Sequence, residues 1–95
     1  MELFKGGKMT IEKATLLLKM MSNPIRLGIL KELTLRDEIC VGNLEELLNV
    51  SQSSASQHLA HLRNSGIVTS RKNGKKVCYK VSEKCVKDIL KALNI

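Results

Sequence analysis

The sequence predicts a mainly α-helical domain with one β-hairpin, in the order α-α-α-α-β-β-α. Two observations support this prediction: apolar residues recur at helical spacing in five segments, and two β-rich runs flank an Asn-Gly pair. The chain has 95 residues, 43% of them apolar, with one Phe, one Tyr and no Trp. It therefore forms one domain with an aliphatic core, and no apolar run approaches the ~20 residues of a membrane span.

The N-terminal region divides into an arm and a helix. Residues 1–9 contain a Gly-Gly pair and no apolar periodicity, which predicts a flexible arm ahead of a domain over residues 10–95. Thr10 is a candidate N-cap for a helix that ends near Met21. Apolar residues cover more than one side of this helix, so we expect it to contact both its own core and a partner.

The next two helices follow a sharp break in the chain. Asn23 as N-cap and Pro24 at the first helical position predict the start of the second helix. Residues 34–39 are expected to form a charged connector, and a short third helix is predicted from about Cys40 to Leu48.

The fourth helix, predicted from Gln52 to Asn64 with Ser51 as N-cap, has an unusual polar face. An apolar stripe of Ala55, Leu59 and Leu62 faces inward, at about 100° per residue. The outer face has no acid and consists of short hydrogen-bonding groups, which suit base edges and phosphates in a groove of nucleic acid. A merely polar surface helix fits this pattern equally well. The outer residues are Ser53, Gln57, His61 and Asn64, with Ser54 and Ser56 at the edges.

A basic hairpin follows the fourth helix. Gly66 is available for a left-handed C-cap, and the β-rich runs 67–70 and 77–81 enclose a turn predicted at Asn73-Gly74. Ser82 is the predicted cap of a last helix that ends at Leu93. Two helices joined by about three residues and followed by a hairpin predict a winged helix-turn-helix. Four cations lie at the hairpin tip: Arg71, Lys72, Lys75 and Lys76.

The positive charge is concentrated on this helix-and-hairpin unit. The formal net charge is +7, and none of the nine acids lies between Leu47 and Ser82. Such a field is the footprint of a nucleic-acid surface, whereas a membrane-surface helix would need bulky apolar residues on its face. The N-terminus has neither an apolar h-region nor a cleavage site, which predicts a cytoplasmic protein.

The segments NPIRLGIL and ICVGNLEELLNVSQSSASQHLAHLRNSGIVTSRKNGKKVCYKV resemble the ArsR/SmtB family of bacterial winged-helix regulators. The resemblance covers roughly residues 14–93 and is greatest for the HlyU-like subgroup, which lacks metal sites. It implies a homodimer paired through the first and last helices, an inverted-repeat operator in duplex DNA, and release by an inducer.

The residues that sense inducers in this family are not reproduced. Where the resemblance implies Cys-Val-Cys at the start of the third helix, this chain has Cys40-Val41-Gly42, and its last helix has no His. The two Cys positions of the persulfide sensors correspond to Lys31 and to the C-terminal Asn94-Ile95. We therefore predict no metal site and no cofactor. A thiol, redox or metal inducer is one hypothesis, and the alternative is that nothing is sensed and the abundance of the protein alone sets operator occupancy.

The three cysteines have no regular spacing, so no disulfide framework is expected. Cys40 and Cys85 lie at helix starts, where free N–H groups stabilise a thiolate, and both are candidate thiol sensors. Small core residues are the competing interpretation for both. Cys78 is predicted to be exposed, because it alternates with Val77 and Tyr79.

The function that the sequence predicts is sequence-specific binding of double-stranded DNA by a homodimeric repressor. The sequence shows no phosphate loop and no nucleophile–base pair, so an enzyme is not expected. Two alternatives stay open: an RNA-binding winged helix, and an antirepressor or protein-interaction module that acts on another regulator. His58, at the edge of the apolar stripe, is expected to be packed and hydrogen-bonded. The predicted DNA contacts are Gln52, Ser53, Ser54, Ser56, Gln57, His61, Arg71, Lys72, Lys75 and Lys76.

Overall fold

The computed structural model describes residues 7–95, which fold into five α-helices and a three-stranded antiparallel sheet. The predicted winged helix-turn-helix is confirmed, with one additional strand. The predicted arm, residues 1–9, lies mostly outside the described residues. In chain order the elements are α1 (Ile11–Met21), α2 (Pro24–Arg36), β1 (Ile39–Cys40), α3 (Val41–Leu48), α4 (Gln52–Ser65), β2 (Val68–Asn73), β3 (Lys76–Val81) and α5 (Cys85–Leu93).

Side-chain caps begin three of the helices at the predicted residues. Thr10 accepts a hydrogen bond from the backbone of Lys13, Asn23 from two backbone amides, and Ser51 from that of Ser54. Each bond satisfies an amide that has no partner within its helix. Local chemistry alone therefore determines where α1, α2 and α4 start.

The segment predicted as a charged connector is instead helix and strand. Residues 34–36 belong to α2, and the Thr34 hydroxyl donates to the Leu30 carbonyl at 2.8 Å. The helix ends at Asp37, whose φ is 67°, and Ile39 and Cys40 then form β1. The prediction was wrong because a two-residue strand is too short to show a period, although Ile39 is buried.

The sheet has the order β1-β3-β2, so β3 lies in the middle. Strands β2 and β3 and the turn between them are called the wing. Register pairs Val68 with Val81 and Asn73 with Lys76, so the turn consists of Gly74 and Lys75, one residue later than predicted. Gly74 has φ of 68° at the first central position, where a type II′ hairpin turn requires Gly.

The core is aliphatic, as predicted, and lies under α4 and the sheet. Ala55, Leu59 and Leu62 are all fully buried, which confirms the inward stripe of α4 and leaves its opposite face free. No helix within residues 7–95 is long and apolar enough to cross a membrane. The main core cluster consists of Leu17, Met21, Ile29, Leu30, Leu33, Ile39, Leu44, Leu59, Leu62, Ile67, Val68, Val86 and Leu90.

A tight junction connects α4, the wing and α5. Gly66 caps α4 with φ of 86°, as predicted, and is followed by Ile67, which is completely buried. The Ile67 carbonyl accepts hydrogen bonds from the backbone amides of Ser82 at 2.9 Å and Glu83 at 3.3 Å. The Ser82 hydroxyl donates to the Gly66 carbonyl at 2.9 Å. Ser82 therefore holds this junction and does not cap α5, whose N-cap residue is Lys84.

Candidate nucleic-acid interface

The outward face of α4 presents the polar residues that the sequence selects. Gln52, Ser53, Ser56, Gln57 and His61 are exposed, and Ser54 is half-buried. Burial of the opposite stripe fixes the rotation of the helix about its axis, so these side chains share one surface. The amides of Gln and the hydroxyls of Ser can pair with base edges in a major groove.

The wing brings its cations next to this face. Arg71, Lys72, Lys75 and Lys76 are all exposed near the hairpin turn. Between α3, α4 and the wing lies a concave surface, here called the α4–wing recess. It is lined by Gln52 and Ser56 from α4, by Lys75, Lys76, Val77 and Tyr79 from the wing, and by Cys40, Val41, Gly42 and Asn43. Hydrogen-bonding and cationic groups thus line one continuous recess.

Arg71 has a partner that the sequence did not reveal. Its guanidinium donates to both carboxylate oxygens of Glu38, at 2.6 Å and 2.7 Å. These hydrogen bonds lower the pKa of the Glu38 carboxyl and raise the pKa of the Arg71 guanidinium. Glu38 lies outside the acid-free interval of the sequence. It is nevertheless close to the wing in space, because it immediately precedes β1, which pairs with the wing strand β3. The sheet therefore places one acid against the basic surface.

A second link joins α4 to the end of α1. The Arg26 guanidinium donates to the Met20 carbonyl at 2.7 Å and to Nδ1 of His58 at 3.3 Å. His58 is half-buried, so the predicted packed and hydrogen-bonded histidine is confirmed. Burial lowers the pKa of His58 below 6.5, and the charges of Arg26 and His61 lower it further.

We expect stability to fall in acid because of His58. The unfolded chain regains the ordinary pKa, so below about pH 6.5 it binds more protons than the folded state. The contribution to stability is complete above that pH and is lost as the pH decreases through the lower, folded-state pKa. In urea unfolding, the free energy of unfolding of the His58→Gln variant should decrease less between pH 7.5 and 5.5 than that of the wild type. The matched control, His61→Gln, keeps His58 and Arg26 and removes only the smallest of the three effects on the His58 pKa, so it should lose nearly as much stability as the wild type. If His58→Gln also loses as much as the wild type, His58 is not responsible.

The cysteines differ from the prediction in two ways. Cys40 and Cys78 form a disulfide, and Cys78 is only 1% exposed. Both expectations, an exposed Cys78 and no disulfide, were wrong because β1 pairs with β3 and brings Cys40 opposite Cys78. Helices α2 and α3 also contact β3 and contribute to its burial. The remaining thiol, Cys85, is half-buried at the first position of α5, where the sequence placed it.

An apolar groove lies between the first and last helices. The α1–α5 groove is lined by Met9, Ala14, Leu17, Leu18, Cys85, Asp88, Ile89 and Ala92. Leu18 is 57% exposed, and Ile11 and Leu93 also present large apolar side chains to solvent. Exposed apolar side chains near an apolar groove are typical of interaction surfaces. No group of three or more potential metal ligands occurs within residues 7–95.

The chain is similar to a known family of proteins and to several of its members. Residues 23–70, from the start of α2 to the first strand of the wing, match the family described as "Bacterial regulatory protein, arsR family". The chain is 42% identical to the transcriptional activator HlyU of Vibrio cholerae, over 99% of this chain and 93% of that relative.

Solved structures show the same fold. HlyU from Vibrio cholerae has a TM-score of 0.80 and 46% identity, over 86% of this chain and 88% of that chain. The transcriptional repressor BigR from Xylella fastidiosa has a TM-score of 0.81 and 36% identity, over 86% of this chain and 83% of that chain.

Proposed function

Because this chain belongs to the arsR family of bacterial regulatory proteins, we propose that it represses transcription by binding an operator with α4 and the wing. It is a DNA-binding transcriptional regulator, and regulators of this family act on duplex DNA as homodimers. The proposal adds the residues that contact DNA, the surface that pairs two protomers, and the sign of regulation. We also propose that the protein acts as a regulator and not as an enzyme.

The α4–wing recess is the single observation that carries the assignment of contacts. Gln52 and Ser56 of α4 and Lys75 and Lys76 of the wing line one concave surface. Major-groove entry by α4 would bring the amides and hydroxyls to base edges, while the lysines would reach the phosphates on either side. In this arrangement Gln52, Ser53, Ser54, Ser56, Gln57 and His61 lie in or beside the groove.

The four wing cations take the phosphate contacts in this proposal. Lys72, Lys75 and Lys76 are exposed on the strands and the turn. Arg71 differs, because its guanidinium is already bound to Glu38. A phosphate contact at Arg71 would replace a carboxylate partner with a phosphate partner, so Arg71 should contribute less to affinity than the lysines.

We assign dimer pairing to the α1–α5 groove. Its lining is apolar apart from Asp88, and Leu18 and Ile89 lie on facing helices. Burial of this surface against a second copy removes exposed apolar area from water. A two-fold dimer places its two α4 helices in successive major grooves, about 34 Å apart, so the operator is an inverted repeat.

One pair of substitutions tests the division between base and phosphate contacts. The probes are a duplex selected from a randomised library by the wild type and a scrambled duplex of equal length. Gln57→Ala should weaken binding to the selected duplex by about 1–3 kcal/mol and reduce the preference over the scrambled one. Lys75→Ala should weaken both duplexes equally and reduce the salt slope by about one unit.

The matched control for the lysine is Lys87→Ala, which removes an exposed cation from α5, away from the recess. Its affinity and salt slope should equal those of the wild type. Equal losses by Gln57→Ala on both duplexes would contradict a base-reading role. Tighter binding to single-stranded or duplex RNA of the same sequence would favour the RNA-binding alternative, although the one aromatic residue of α4 and the wing, Tyr79, is half-buried.

A second function is favoured by the similarity to HlyU, which is described as a transcriptional activator. An activator can act as an antirepressor, which displaces another DNA-bound regulator and raises transcription only when that regulator is present. In vitro transcription with purified RNA polymerase separates the two functions. A repressor lowers transcript yield from a template that contains the selected duplex, whereas an antirepressor leaves it unchanged.

A further inference from the structure

We propose that the Cys40–Cys78 disulfide is a reversible redox modification site that sets the affinity for the operator. The inference rests on the proposed function, because it assigns a regulation to the same α4–wing surface. Neither cysteine is among the residues proposed to contact DNA, and Cys85 is not part of this pair.

The disulfide lies where it can affect the arrangement of the DNA-binding surface. Cys40 is the N-cap residue of α3, and Cys78 lies in the middle of β3, the central strand of the sheet. The two residues are 38 positions apart, and the segment between them contains α3, α4, β2 and the hairpin turn. The disulfide therefore closes a loop around every element that is proposed to contact DNA.

The disulfide is the covalent link between the edge strand of the sheet and the wing. Strand β1 is only two residues long and pairs with β3 through Ile39–Tyr79 and Cys40–Cys78. Helices α2 and α3 also contact β3, but through packing alone, and the ion pair between Glu38 and Arg71 is exposed, where such pairs contribute little to stability. Without the disulfide, the position of the wing relative to α4 is less restricted.

Loss of that restriction should weaken DNA binding. A binding surface that is already held in its bound geometry loses less conformational entropy on association. In the oxidised protein, the start of α3, which packs against α4, is covalently linked to β3 of the wing beside the α4–wing recess, which Cys40 itself lines. The oxidised form is therefore the high-affinity form, and the reduced form binds the same duplex less tightly.

Exposure determines which sulfur a reductant can attack. Cys78 is buried, whereas Cys40 is only partly buried and borders the open recess. A thiolate of a dithiol reductant attacks the Sγ of Cys40, breaks the S–S bond and displaces the Cys78 thiolate, which takes up a proton. The second thiol of the reductant then attacks the mixed disulfide and releases Cys40. The protein gains two electrons and two protons, and the dithiol becomes a disulfide.

The first measurement counts thiols independently of DNA. Protein equilibrated in buffers of oxidised and reduced dithiothreitol is quenched with an alkylating agent and its mass is determined. The wild type should carry one alkyl group, on Cys85, at the oxidising end and three at the reducing end. The Cys85→Ser variant should carry none and two. Three free thiols in wild-type protein under fully oxidising conditions would overturn the proposal.

The second measurement determines affinity under the same two conditions, with the selected inverted-repeat duplex as the probe. Reduction should weaken binding by the wild type about fivefold or more. The Cys85→Ser variant should show the same ratio of affinities. Cys40→Ser and Cys78→Ala should bind with the reduced affinity under both conditions. If circular dichroism shows that Cys78→Ala is unfolded, Cys40→Ser at the partly exposed position decides the result.

The failures of the two proposals can be distinguished. Oxidised wild type that prefers no duplex over a scrambled one contradicts the proposed function. Wild type that binds the selected duplex with equal affinity in both states, or more tightly when reduced, while its thiol count changes from one to three, overturns only the redox inference.

Discussion

The Leu18→Glu variant should sediment as a monomer and bind an inverted-repeat operator about 100-fold more weakly than the wild type. Leu18 is 57% exposed and lines the α1–α5 groove, so a carboxylate there would have to be buried without a partner in the dimer. In a dimer, binding of the first α4 helix holds the second close to its half-site. A monomer loses this gain in effective concentration although its own contacts with DNA are unchanged.

Leu35→Glu is the matched control. Leu35 is another leucine exposed on a helix, at 69%, but it does not line the α1–α5 groove. Leu35→Glu should remain dimeric in sedimentation at tens of micromolar. Its affinity for whole and half operators should be similar to that of the wild type. A dimeric Leu18→Glu protein with full operator affinity would exclude the groove as the dimer surface.

Reduction of the Cys40–Cys78 bond should lower the free energy of unfolding by about 4 kcal/mol. The bond joins residues 38 positions apart, and opening it releases the unfolded chain from a closed loop of that size. A small domain has only about 5–15 kcal/mol of stability in total, so the loss is a large fraction. Urea unfolding with and without a dithiol reductant measures it.

Two variants separate the bond from general effects of the reductant. Cys85→Ser retains the disulfide and should lose as much stability on reduction as the wild type. Cys40→Ser cannot form the bond and should unfold at the same urea concentration in both conditions. A difference below about 1 kcal/mol between oxidised and reduced wild type would show that the bond contributes little.

The sequence predicted those features that depend on neighbouring residues. Caps at Thr10, Asn23 and Ser51 bond to amides only two or three residues away, and the inward stripe of α4 follows from helical periodicity. The polar face of α4 and the cations of the wing could be selected for the same reason. Their exposure was predicted correctly; their contact with DNA remains a proposal.

Features that depend on tertiary contacts could not be predicted in this way. The pairing of Cys40 with Cys78 and of Glu38 with Arg71 both result from β1, a strand of two residues without a period of its own. Alternation along β3 placed Cys78 on an outer face, but the third strand and two helices contact that strand. Arg26 and His58 are 32 residues apart, and only the packing of α2 beside α4 brings them together.

The hydrogen bonds of the buried Ile67 carbonyl bear on the spacing of the two half-sites that a dimer can bind. It ties the start of the wing, just after α4, to residues 82 and 83, just before α5, so hydrogen bonds hold the end of α4 close to the start of α5. This junction restricts changes in the angle between the two helices within a protomer. If the α1–α5 groove pairs the two protomers, the way in which the two grooves dock determines the number of base pairs between the half-sites. Substitutions on α5 should change the preferred spacer length, whereas substitutions on α4 should change the preferred bases.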